Sequence, residues 1–252
     1  MRHRFSFFFG FLLCFSVLAG NGCVSKSLNE WTPIADGIEE LDVTATTVSS
    51  THIVMYAFDP EKYSFEFTYA TSGKSVLGWH SAYPKATAVF NGTFFDQDFS
   101  PSGNVIHSGV ELGIRKFDLD KTAYIVFAPR PGIIDTAYEA FAVASSSEAA
   151  QSYPLLLKEG RAMVKEGSTQ AARRTFVALR ADHFVVFGVI ADGAVTLHQL
   201  SNELTQSRFR LTRALNLDGG PSTGVSVNVP DHEKRINSFV PVPISVVVSL
   251  RR

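Results

Sequence analysis

Apolar and polar positions alternate most strictly at Tyr63, Phe65, Phe67 and Tyr69, which are separated by Ser64, Glu66 and Thr68. A period of two belongs to a strand with one buried face, so the pattern predicts a half-buried strand there. "THIVMYAFDP" before it reads as a second strand, and "ATAVFNGTFFD" after it begins as a buried strand and ends in a glycine-containing loop. "GVELGIRK" and "AYIVFAPR" are strand-like, whereas the small residues of "AYEAFAVASSSEAAQS" suit a helix and loop. "YPLLLKEGR" reads as a strand closed by a turn. "TFVALRADHFVVFGVIADGAVTLHQL" reads as a hairpin turning at "RADH", with a second turn at "ADGA". "SNELTQSRFRLTRA" is predicted helical, with Ser201 as N-cap and with Glu203 and Arg210 suiting the ends of the helix dipole. The tail alternates again in "GVSVNV" and "PVPISVVVSL". Strands outnumber helices and often follow one another directly. The expected fold is therefore α+β, a single domain of mixed or antiparallel sheet with a few flanking helices.

Composition narrows this picture. The chain has 252 residues, 45% of them hydrophobic and 19% charged, enough to bury a sizeable core in one β-rich domain. Its formal net charge is −1, and losing residues 1–23 would remove Arg2 and Arg4 but no acid, leaving about −3. Such a balance argues against a nucleic-acid partner.

The N-terminus reads as an export signal: "MRHR" is a positive start, and "FSFFFGFLLCFSVLA" is an apolar run shorter than a membrane span. Two kinds of processing fit. Val17 and Ala19 suit a signal-peptidase site for plain secretion, whereas "LAGNGC" puts Cys23 where a bacterial lipoprotein carries its acyl chains. Gly20 and Asn21 depart from the usual lipobox. A lipid anchor at Cys23 is the one membrane attachment expected, and the site of action is periplasmic or at the cell surface. Cys14 and Cys23 are the only cysteines, and both belong to the signal region, so no internal disulfide staples the exported domain. Residues 24–36 read as a tether, and residues 37–252 as the domain.

Candidate chemistry gathers in a few loops. In "ALNLDGGPSTG", Leu215 and Leu217 bracket Asn216 and Asp218, placing Asp218 at a strand end where the Gly219-Gly220 backbone can approach a ligand closely. Asp-Gly is equally an ordinary turn signal, and both readings stay open. Ser222 and Thr223 add hydroxyls after Pro221. "FNGTFFD" delivers Asn91 and Gly92 from a buried strand, then two aromatics, then Asp96. "SPSGNVIHSG" follows, with His107 beside glycine. In "AARRTFVAL", Arg173 and Arg174 enter an apolar strand; a rigidly held arginine fork suits phosphate or carboxylate, and a solvated pair is the plain alternative.

Taken together, "NGTFFD", "SPSGNVIHSG", "YPLLLKEGR", "RRTFVAL" and "ALNLDGGPST" resemble, in order and approximate spacing, the phosphodiester glycosidase family over roughly Trp79 to Leu250. The resemblance marks Asn91, Gly92, Phe95, Arg174, Asp218, Gly219, Gly220 and Ser222, and less firmly Asp96 and Gly109. Thr93 stands where the family usually has glycine, and Pro221 where a third glycine is common, which removes an N–H from that turn.

What the resemblance implies is hydrolysis of a sugar-1-phosphodiester, such as one of N-acetylglucosamine, to free sugar and a phosphomonoester. Phosphate is a good leaving group, so the site must mainly neutralise its charge and support an oxocarbenium-like transition state. Asp218 is then the expected base or nucleophile and Arg174 the phosphate ligand, helped by Gly219, Gly220, Ser222 and Thr223. Asn91 and Gly92 would orient sugar or water, with Gly109 beside them and Asp96 or Glu111 as second carboxylate. Two other roles compete: a non-catalytic glycan- or phosphoglycan-binding protein, and an accessory protein of exopolysaccharide assembly. No zinc spacing or nucleotide loop occurs and no cofactor is required, although an oxygen-only Ca²⁺ or Mg²⁺ site at Asp218 would leave little trace.

Overall fold

A computed structural model describes residues 29–46, 48, 51–113, 118–167 and 170–251. The export signal and the lipobox therefore lie outside the described residues, as do the first residues of the tether. In chain order the structure begins with strands β1 (Thr32–Ala35), β2 (Ile38–Thr44), β3 (His52–Phe58) and β4 (Tyr63–Lys74), then helix α1 (Val76–Ala82) and β5 (Ala88–Asn91). Strands β6 (Val105–His107), β7 (Val110–Leu112), β8 (Ala123–Ala128), β9 (Gly132–Asp135) and β10 (Glu148–Ser152) follow. Next come β11 (Leu155–Lys158), β12 (Arg161–Ala162), β13 (Thr175–Arg180), β14 (Val185–Asp192) and helix α2 (Leu197–Glu203). The chain closes with β15 (Leu211–Asn216), β16 (Val225–Val229), β17 (His232–Ile236) and β18 (Val242–Leu250).

These strands make three sheets: an eight-stranded one in the order β1-β2-β3-β14-β13-β15-β11-β12, and two five-stranded ones, β17-β16-β5-β18-β4 and β7-β6-β10-β8-β9. Each described pairing is antiparallel. With two short α-helices among the described residues against this much sheet, the protein is a single, mostly β domain, which narrows the expected α+β class.

Alternation along β3 shows how the layers form. Val54, Tyr56 and Phe58 point into a core shared with the two five-stranded sheets, beside Phe65, Phe90 and Phe127. Ile53, Met55 and Ala57 point the other way, into a second core that α2 closes with Leu200 and Leu204. Both faces of the strand are covered, so its sequence is a continuous apolar run rather than an alternating one. Aromatic rings fill the shared core: Phe90 stacks on Phe187 with centroids 4.4 Å apart, and Phe58 meets four rings edge-on. Truncating one such ring to alanine costs about 3–5 kcal/mol. On the far face of β5 and β18, α1 contributes Val76 and Trp79 to a smaller cluster with Val89 and Val247.

Several predicted elements differ. Residues 32–35, expected in the tether, form β1 and pair with β2. The small-residue segment expected as helix and loop contains β10, held between β6 and β8. Its alanines fit because both faces are covered, and its polar ends are satisfied: Glu148 accepts the N–H groups of Phe67 and Ser108. Pairing within a sheet outweighs local helix propensity there. The helix expected from Ser201 starts earlier, because Thr196 and Gln199 form a capping box. Ser201 therefore falls inside α2, where its hydroxyl donates to the Leu156 carbonyl at 2.6 Å. The last four residues of that segment open β15, paired with β13 and β11.

Candidate active site

Two sheets meet at one polar seam. β5 ends at Asn91, which lies opposite Ser245 of β18 in one sheet, and β15 ends at Asn216, opposite Phe176 of β13 in the other. Asn91 is wholly buried, so its amide must be satisfied by protein. Its Oδ1 accepts from the Thr175 hydroxyl at 2.8 Å and the Gly224 N–H at 3.0 Å, while Nδ2 donates to the Asp218 carbonyl at 2.7 Å. The Asp218 N–H donates in turn to the Gly92 carbonyl at 3.2 Å. One side chain thus fastens β5, the start of β13 and both ends of the "DGGPSTG" loop, and keeps no exposed atom for a sugar or water. Asn91 is a positioning group for Asp218.

Gly92 is required at this seam by close approach: its N–H donates to the Ile244 carbonyl at 2.9 Å, and a Cβ would stand 2.6 Å from Ile244 Cγ2. Gly220 serves differently. It adopts φ +58° in open space, which lets residues 220–222 close a single 3₁₀ turn. Within that turn Ser222 is buried with its hydroxyl facing the Asp218 carboxyl closely enough to oppose the rise in its pKa, and the Gly219 N–H donates to Asp218 Oδ1 at 2.8 Å. Thr223 is wholly buried, its hydroxyl without a hydrogen-bond partner among the described residues.

Asp218 itself is partly exposed and walled by protein. Loss of solvation pushes its carboxyl up to about 6, against the opposing pull of the Ser222 hydroxyl and the Gly219 N–H. A carboxylate with that affinity for protons is a stronger base than a surface aspartate and still ionised at neutral pH.

Arg174 borders the same turn: a Cβ on Gly219 would lie 3.7 Å from its Cδ. Burial lowers its pKa, although a guanidinium stays charged. Its Nε donates to the Val195 carbonyl at 3.2 Å and its Nη2 to the Gln170 carbonyl at 2.8 Å, so one fork is fixed on backbone. Among the described residues no hydrogen bond takes the end-on pair of N–H donors, one from each Nη. Arg173, adjacent in sequence, donates to the Thr223 carbonyl at 3.1 Å and takes the Gly220 N–H on its own carbonyl at 2.7 Å.

The remaining candidates are placed elsewhere or bound into turns. Asp96 opens a tight turn, its N–H bonded to the Ser100 carbonyl and its own carbonyl to the Phe99 N–H. Gly109 and Glu111 lie on the β6–β7 hairpin at the edge of the third sheet, both exposed. His107, next to them, pairs with Glu148 at 3.0 Å. Among the described residues no group of three or more His, Cys, Asp or Glu is placed to hold a metal. Two seam residues were not singled out in the sequence: Thr175, and Gly224, where a Cβ would stand 2.7 Å from Val76 Cγ2 and 2.9 Å from the Ile236 carbonyl. Both lie within motifs that were quoted, "AARRTFVAL" and "ALNLDGGPSTG".

The structure thus sets an aspartate braced by glycine backbone beside an arginine, at a seam between antiparallel sheets. Residues 84–249 match the phosphodiester glycosidase family, more than half of the chain, and the protein belongs to that family. Solved structures share the fold. A hypothetical protein from Synechocystis superposes with a TM-score of 0.66 at 13% identity, covering 88% of this chain; the chain spans 63% of that protein's length. The catalytic domain of zebrafish N-acetylglucosamine-1-phosphodiester alpha-N-acetylglucosaminidase, auto-inhibited by its pro-peptide, superposes with a TM-score of 0.59 at 15% identity, over 85% of this chain and 82% of that one. No match is found among curated protein sequences.

Proposed function

We propose that the protein is an exported hydrolase that cleaves a sugar-1-phosphodiester, of the N-acetylglucosamine-1-phosphodiester kind, to free sugar and a phosphomonoester. The observation that carries this reading is the Asp218 carboxylate, held by the Gly219 N–H beside Arg174 and raised to about 6 by burial.

In the proposed reaction the end-on fork of Arg174 takes two phosphate oxygens. Negative charge grows on the phosphate as the anomeric C–O bond breaks, so this contact strengthens toward the transition state. Asp218 faces the anomeric carbon. It either removes a proton from the attacking water or attacks directly to give a glycosyl ester that water then opens. The separation between Asp218 and a second carboxylate, for which Asp96 is the remaining candidate, decides between inversion and retention. Asn91 fixes the Asp218 backbone, and Gly92 lets the strands close enough for it to do so. No cofactor enters this scheme; loss of activity on chelation would instead support a Ca²⁺ or Mg²⁺ held at Asp218. The site of action proposed is the periplasm or cell surface.

The deciding experiment is sugar release from N-acetylglucosamine-1-phospho-methyl ester by the wild type, Asp218→Asn and Arg174→Ala, with melting temperatures as folding controls. Release abolished by the first substitution and strongly reduced by the second supports the proposal. Release by Asp218→Asn at the wild-type rate rejects it.

A further inference from the structure

A cleft of about 510 Å³ is lined by Arg173, Asp192, Lys234, Arg235, Asn237 and Phe239 among others, two of which, Arg173 and Phe239, bond to the Asp218 turn. Its size falls within the roughly 300–1,000 Å³ of small-ligand pockets. Three cations face one acid across it. The cleft and the candidate active site share backbone: the Phe239 N–H donates to the Pro221 carbonyl at 2.7 Å, and Arg173 holds Gly220 and Thr223 as described above.

Phe239 is 77% exposed, yet its ring is held, with the Arg173 guanidinium stacked 4.6 Å from its centroid. A fixed aromatic ring left in water is a surface on which the apolar face of a sugar can pack. Arg173 Nε is buried without a hydrogen-bond partner among the described residues. Lys234 reaches Asp42 at 3.7 Å and Arg235 contacts Glu233, both as solvent-accessible pairs. Such pairs are worth little, so both cations can turn to a ligand anion.

We propose that this cleft is a second subsite, binding an anionic sugar unit one step removed from the scissile bond, so that the substrate is an oligomeric phosphoglycan. Phe239 carries the sugar ring of that unit, and Arg173, Lys234 and Arg235 carry its phosphate. The proposal rests on the sugar-phosphodiester reading for its substrate class and on the cleft for its location.

The test is calorimetric binding to full-chain Asp218→Asn protein, which avoids turnover. Three ligands are compared: a sugar-1-phospho-methyl ester, a synthetic trimer of sugar-1-phosphodiester units, and a neutral oligosaccharide of equal length. Joining units that occupy adjacent subsites is expected to make the trimer bind about tenfold or more tightly than the monomer. Adding Phe239→Ala, or Lys234→Ala with Arg235→Ala, should bring the trimer back to the monomer's affinity. All three side chains reach solvent, so folding should survive, and melting temperatures check this. Absence of a trimer advantage, an advantage untouched by these substitutions, or an equal gain with the neutral oligosaccharide would each overturn the subsite. A trimer advantage of the expected kind in a protein whose wild type releases no sugar would reject the hydrolase and keep the subsite. Hydrolysis without the advantage would do the reverse.

Discussion

The Asp218 turn and the β6–β7 hairpin begin from similar chemistry and end in different states. Each has a glycine in the left-handed region with open space around it, Gly220 at φ +58° and Gly109 at φ +76°, and each has an acid two residues away. At the hairpin, Glu111 is exposed on an edge strand of three residues. At the seam, Asp218 has its N–H, carbonyl and carboxylate all engaged by neighbours, and burial shifts its proton affinity. What separates them is burial of the carboxyl, on a backbone that Asn91 holds in place. An acid becomes a tuned group when strands from two sheets fix the backbone around it, and a glycine turn alone does not do this.

The largest test of that contrast exchanges each acid for its amide. Asp218→Asn should reduce sugar release by about a thousandfold or more, whereas Glu111→Gln should leave it within about twofold, measured on the same substrate. If both lose activity equally, the hairpin belongs to the site. The same Asp218 variant sharpens the energetic side. A folded-state pKa of about 6, above the ordinary 3.8, gives stability that is fully present below about pH 4 and is lost as pH rises through about 6. At pH 7 the charged carboxylate is therefore a burden, and Asp218→Asn should raise stability by about 1–2 kcal/mol in urea titrations. Activity that needs the ionised carboxylate should fall on the acid side with a midpoint near 6, read from kcat/KM against pH.

Removing the brace comes next. Asn91→Ala leaves the Thr175 hydroxyl, the Gly224 N–H and the Asp218 carbonyl unpaired in the interior, which should cost about 3 kcal/mol and about 6–12 °C in Tm by calorimetry. Arg174→Ala should lower kcat/KM about tenfold or more, with kcat falling as well, and Arg174→Lys should recover little, because a point charge lacks the fork. The smallest effect expected is the most discriminating. Gly220→Ala and Gly109→Ala should each cost about 1 kcal/mol, since both carry positive φ without a steric clash, but only the first should slow turnover.

Legibility in the sequence followed the range of the forces involved. β4 could be read because its alternation is set by which face meets the core, and the "DGG" turn because glycine and aspartate carry local backbone preferences. Helix α1 was missed: seven residues are too few for a helical period, and its cap, the Ser75 hydroxyl accepting the Gly78 N–H, is a single contact. β10 was misread since its small residues take their strand geometry from β6 and β8, each distant in sequence. Arg173 looked like half of a solvated pair, and its stacking on Phe239 joins residues 66 positions apart.

By itself, then, the sequence determined the strands whose burial pattern is local and the motif residues Asn91, Arg174 and Asp218 that mark the family. Tertiary structure alone decided that Asn91 faces inward onto Asp218, that Glu111 stays at an edge, and that two residues bonded to the turn line a cationic cleft. The reason is physical. Desolvation and hydrogen-bond saturation depend on which distant strands enclose a group, and that enclosure exists only once the sheets have paired.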